Sequence, residues 1–85
     1  MEEKSLIKNL KLKDEVAFKY LVENYKDFVF NTCISIIQNI DDSDDISQEV
    51  FIQVYKSIKN FKEKSSLSTW IYKITVSTCF EYLRF

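Results

Sequence analysis

The stretch DEVAFKYLVENYKDFVFNTCISIIQNI, residues 14–40, carries Phe18, Leu21, Val22, Tyr25, Phe28, Val29, Cys33, Ile36, Ile37 and Ile40 in one stripe that returns every three or four residues. That period is the helical one, so the segment is predicted as a single long amphipathic helix with its apolar stripe turned to a core. Asp14 stands at its start, where a short acceptor side chain suits the first free backbone N–H groups.

Upstream, Leu6, Ile7 and Leu10 share helical spacing over a segment that ends near Lys11 to Lys13. A helix this short is unstable alone and is expected to dock on the rest. Downstream, the run Asp41-Asp42-Ser43-Asp44-Asp45 interrupts the stripe. Asp42 with Asp45 three positions on is read as a capping box with a shorter acid than usual, opening a helix that runs to about Asn60. On that helix Ile46, Val50, Val54 and Ile58 point inward, with Phe51 and Tyr55 flanking them. Lys56 and Lys59 suit the negative end of its dipole. A polar loop, Lys62-Glu63-Lys64-Ser65-Ser66, follows, and then Leu67, Trp70, Ile71, Ile74 and Thr78 describe a last helix that Ser65 or Ser66 can cap. The 85 residues include no glycine and no proline, the residues that tight hairpin turns need. The expectation is an all-α fold, a compact bundle of three main helices plus a short N-terminal helix, forming one domain over residues 1–85. The last helical pattern is still running at Phe85, so the chain is expected to be one part of a longer protein.

Composition narrows the function classes. Hydrophobic residues make up 46% and charged residues 29%, a globular rather than disordered balance, and no apolar run approaches the ~20 residues of a membrane span. The acidic N-terminus, Met1-Glu2-Glu3-Lys4, lacks the pattern of a secretion signal, which points to the cytoplasm and to no membrane insertion. With no histidine, and with Cys33 and Cys79 far apart among apolar residues, neither a zinc set nor a CxxC pair is available, and both cysteines read as small core residues. No catalytic group, metal site or cofactor is expected. Charge, by contrast, is divided unevenly. Residues 1–50 hold 6 Lys/Arg against 11 Asp/Glu, net −5, and residues 51–85 hold 6 against 2, net +4. Two binding surfaces of opposite sign are therefore expected.

Two segments carry that expectation. Asp45, Gln48 and Glu49 lie at i, i+3 and i+4, on one surface of their helix beside Phe51. Such a surface can meet a basic partner helix, although by spacing alone an ordinary solvated face is the commoner case. Farther on, Lys56, Lys59, Lys62, Lys64 and Lys73 are interleaved with Tyr55, Phe61, Trp70 and Tyr72. Cations along phosphates and flat rings for bases are what a single-strand binder requires, and Phe61 and Trp70 equally suit a core.

Taken together, Asp45-Ile46-Ser47-Gln48-Glu49-Val50-Phe51-Ile52-Gln53-Val54-Tyr55, then Phe61, the serine pair, and Ser68-Thr69-Trp70-Ile71-Tyr72-Lys73-Ile74 resemble region 2 of bacterial extracytoplasmic-function sigma factors. Asp14-Glu15-Val16-Ala17-Phe18 followed by Tyr25 fits the same family, so the resemblance spans nearly the whole chain. It implies that Asp45, Gln48, Glu49, Phe51 and Tyr55 dock on the clamp helices of the largest subunit of core RNA polymerase. It implies that the loop Lys62 to Leu67 captures a base flipped from the non-template strand of the minus-ten promoter element, and that the helix Ser68 to Leu83 contacts neighbouring bases and phosphates. Lys59, Phe61, Lys62, Lys64, Ser65, Ser66, Thr69, Trp70, Lys73 and Ser77 are the expected DNA-binding residues. An anti-sigma factor is a further expected partner, and the helix-turn-helix region 4 domain of the family is expected to lie outside this chain. Two departures matter: Trp70 is followed by Ile71, so a paired-tryptophan wedge is missing, and Ser77 stands where many relatives have asparagine, a shorter group with one hydroxyl in place of an amide. The rival reading is a helical adaptor that uses only the acidic face and has no DNA role.

Overall fold

A computed structural model describes residues 1–84. It contains α1 (Glu3–Lys11), α2 (Glu15–Ile37), α3 (Ile40–Ser57) continued by a 3₁₀ turn (Ile58–Asn60), and α4 (Leu67–Leu83), with no strand among the described residues. The all-α expectation of three main helices and a short leading one is what is found. Helices α2, α3 and α4 each pack against the other two, while α1 lies on α2 and on the 3₁₀ turn.

The core follows the stripes. Leu21, Val29, Val50, Val54, Leu67 and Ile71 are fully enclosed, and Leu6, Ile7 and Leu10 dock α1 on the same cluster. Small residues fill the closest points of the helix packing: Ala17, Cys33, Ser43, Thr75 and Cys79 have no exposure. Thr75 Oγ1 donates to the Ile71 carbonyl at 2.8 Å and the nearly buried Ser47 Oγ to that of Ser43 at 2.7 Å, while the Ser43 hydroxyl has no partner among the described residues.

Capping agrees with the sequence at two helices and departs from it at a third. The Asp14 carboxylate accepts from the Val16 N–H at 3.1 Å, and Ser66 Oγ accepts from the Thr69 N–H at 3.2 Å. At α3, however, the cap is Asn39, whose side chain accepts from the Asp42 N–H at 2.9 Å. Asp42 and Asp45 therefore lie inside the helix and form no capping box. The acids of the run remain favourable there, because Asp41 and Asp42 occupy the first turn at the positive end of the dipole. Ile40, read as the end of the long stripe, instead begins α3 and is 70% exposed. Phe28, also read as inward, is 40% exposed and leans on Tyr72 of α4 with ring centroids 6.2 Å apart.

Candidate nucleic-acid interface

The loop between the 3₁₀ turn and α4 is built from its two ends. Phe61 caps the turn with its N–H on the Ile58 carbonyl, and its ring packs inside against Trp70, centroids 4.8 Å apart. Ser66 closes the loop as the N-cap of α4. Between them Lys62, Glu63 and Lys64 are exposed and Ser65 is half-buried. Neither Lys62 nor Lys64 is paired with a carboxylate among the described residues, whereas the neighbouring Glu63 faces Lys11 of α1 at 4.0 Å. The two lysines thus present positive charge to solvent, where a phosphate can take it up.

Beyond the loop, Thr69, Lys73 and Ser77 are exposed at intervals of four, one row along α4. At its start the hydroxyls of Ser66, Ser68 and Thr69 hydrogen-bond among themselves at 3.0 to 3.2 Å. Trp70 is half-buried behind them, its ring shared between the core and a groove of about 710 Å³ between α3 and α4. Lys73, Ser77 and Tyr82 line this groove from α4, and Glu49 and Gln53 from α3. Gln53 donates to the Glu49 carboxylate at 2.8 Å. At the far end the neighbouring Asp42 carboxylate pushes the exposed Tyr82 phenol above the usual tyrosine range.

The acidic surface divides. Gln48, with Phe51, borders a second groove of about 290 Å³ between α2 and α3, alongside Lys26, Asp27 and Asp44. Glu49 instead faces the α4 groove, because neighbouring positions on a helix point about 100° apart. Asp45 is exposed between the two. So the expected polymerase-facing and DNA-facing sets meet at Glu49 and Lys73 rather than standing on separate sides.

Two expected contact residues, Phe51 and Phe61, are largely covered, and a third, Tyr55, is exposed as its flanking place on the helix suggests. Phe51 and Phe61 are 8% and 4% exposed, so their rings support the surface from beneath, and little of either is left for a partner. Tyr55 is exposed, but Lys13 sits 3.9 Å from its ring centre and also donates to its carbonyl, while Phe18 meets it edge-on at 5.2 Å. Gln53 and Tyr82 were missed. For Gln53 the spacing of four from Glu49 was the available signal. Among the described residues no group of His, Cys, Asp and Glu is placed to hold a metal ion, and no helix is long and apolar enough to cross a membrane.

An all-α bundle with a cationic loop opening onto a polar helix row defines the class. The chain belongs to the sigma-70 region 2 family, whose model matches residues 21–85. Among its relatives is the ECF RNA polymerase sigma factor SigW of Bacillus subtilis (strain 168), 35% identical over 95% of this chain and 43% of that protein. The ECF RNA polymerase sigma-E factor of Escherichia coli (strain K12) is 32% identical over 92% of this chain and 40% of its own length. The chain therefore spans less than half the length of these curated relatives. Among solved structures, an engineered region 2 of sigmaE in complex with GTAAAA superposes with a TM-score of 0.88 at 30% identity, covering 98% of this chain and 86% of that one.

Proposed function

We propose that this domain grips core RNA polymerase through α3 and receives an unpaired base of the minus-ten promoter element, from the non-template strand, in the loop Lys62–Ser66. The observation that carries the reading is the exposed loop itself, with Lys62 and Lys64 unpaired, set at the head of the row Thr69, Lys73 and Ser77. The likeness to a region 2 that holds GTAAAA supports it. Unstacking a base costs a few kcal/mol, and with the Phe61 ring covered the offset comes from hydrogen bonds within the loop and from phosphate contacts to its lysines. On α3, Asp45, Gln48 and Glu49 supply the charge that orients a basic helix pair of the polymerase clamp, with Phe51 beneath and Tyr55 beside them. The role is binding and melting without catalysis, and it is exercised in the cytoplasm with an anti-sigma factor as a third partner.

The test is binding of a fluorescent single-stranded oligonucleotide containing GTAAAA, measured over a series of salt concentrations in the presence of core polymerase. Affinity should fall as salt rises, and replacing both Lys62 and Lys64 by alanine should weaken it and flatten the log–log salt slope by about 1.4. Equal binding with and without the lysines at every salt concentration would remove the DNA role and leave the adaptor reading.

A further inference from the structure

Helix α1 touches the loop at both of its ends. At the last residue of the helix, the Lys11 ammonium donates to the Phe61 carbonyl at 2.8 Å and lies 4.0 Å from the Glu63 carboxylate. At the first residue, the Glu3 carboxylate accepts from the Leu67 N–H at 3.3 Å. Phe61 and Leu67 are the two residues that bracket Lys62–Ser66, so one short helix holds both ends of the segment. Leu6, Ile7 and Leu10 bury its apolar side, which makes α1 a fixed support. Between the two anchors Glu63 sits at φ 59°, a conformation that is disfavoured for a residue with a Cβ. The Lys11 ammonium opposite its carboxylate adds to what holds the loop there.

We propose that α1 is a clamp that presets the loop for an unpaired base, with Lys11 and Glu3 as its positioning residues; this rests on the DNA-binding role above. A loop already ordered in the free protein loses less conformational entropy when a nucleotide enters, so the clamp raises affinity without touching DNA. Glu3 has a second effect. Its carboxylate occupies the first free amide of α4, a place where a phosphate would otherwise be welcome, and so directs phosphates to Lys62, Lys64 and Lys73.

The experiment pairs two readouts on the full chain: backbone order parameters by NMR, and, with core polymerase present, affinity for the GTAAAA oligonucleotide across salt concentrations. Lys11→Met keeps the aliphatic stem and removes the donor. It should lower the order parameters of residues 62–66 from about 0.85 to below about 0.6 while α2 and α4 stay rigid. Affinity should fall about threefold to tenfold. The salt slope should keep its wild-type value, whereas Lys62→Ala should reduce it by about 0.7. Lys11→Arg, which retains a donor, should restore order and affinity together. Glu3→Ala should loosen residues 65–67, and Glu3→Gln, which keeps an acceptor, should not. Unchanged loop order in Lys11→Met overturns the clamp. So does a salt slope reduced as in Lys62→Ala, which would make Lys11 a phosphate ligand. If the wild-type chain binds no oligonucleotide, the DNA-binding role fails, and loop order alone then decides the clamp.

Discussion

Cys79 on α4 and Cys33 on α2 meet in the interior as free thiols without exposure. Burial, together with the Cys33 thiol beside it, pushes the Cys79 thiol from the ordinary 9.0 up to about 12. Because the raised value favours the neutral thiol in the fold, its stabilising contribution is complete below pH about 9 and is lost as pH climbs toward about 12. The urea midpoint is therefore expected to stay level in this respect between pH 6 and 8 and to decline above pH 9. Ellman's reagent at pH 8 should label neither cysteine until urea unfolds the chain, and fast labelling of the native protein would contradict the buried pair. The assignment of both cysteines to the core was legible from their apolar neighbours at helical spacing. Their contact was not, since no local pattern says which residues of two helices 46 positions apart come face to face. Phe51 and Phe61 show the same limit: Phe51 lies at the flank of a stripe and Phe61 just beyond the end of its helix, and only the packing of α2 and Trp70 against them decided that they are covered.

At the scale of elements, the links carry an unusual feature. A chain without glycine makes all three of its turns between helices with a non-glycine residue at positive φ: Lys13 at 62°, Gln38 at 59° and Glu63 at 59°. The left-handed conformation costs a residue with a Cβ about 1 kcal/mol or more, a cost glycine does not meet. Gln38 is exposed and its side chain makes no hydrogen bond among the described residues, so Gln38→Gly should raise the stability measured by urea unfolding by about 0.5 to 1 kcal/mol. A loss of stability would show that Gln38 contributes a contact. The acidic run was misread for a related reason. A two-residue link, Gln38 and Asn39, is enough to reverse the chain, so α3 starts before the aspartates, and Asn39 reaches the free N–H of Asp42 ahead of any of them. Propensity names several residues able to cap a helix, and the place where the previous helix stops selects one.

For the whole molecule, α2 is the spine: its 23 residues span about 34 Å of a 36 Å long axis, and the other helices pack along it. The division of charge along the sequence becomes a division in space that meets at the α3–α4 groove, with Glu49 on one wall and Lys73 on the other. Asp45 and Glu49 lie beyond the first turn of α3, are exposed, and form no ion pair among the described residues, so reversing their charge removes little from the fold. The double variant Asp45→Lys, Glu49→Lys should lose capture by core polymerase while its helical circular dichroism is unchanged. Undiminished capture would exclude this face as the docking surface, and a lost helical signal would assign the two acids to the fold instead.

Helical periodicity, the lack of turn-forming residues and two capping side chains determined the secondary structure, and the paired motifs of α3 and α4 determined the family; each of these is a local property, read within a few residues of itself. Which aromatic rings are covered, which wall of the groove Glu49 joins, and how Lys11 and Glu3 come to hold a loop more than fifty residues away were decided only by the tertiary structure. These depend on how whole helices pack, which the pattern of one helix constrains to a face and not to a partner.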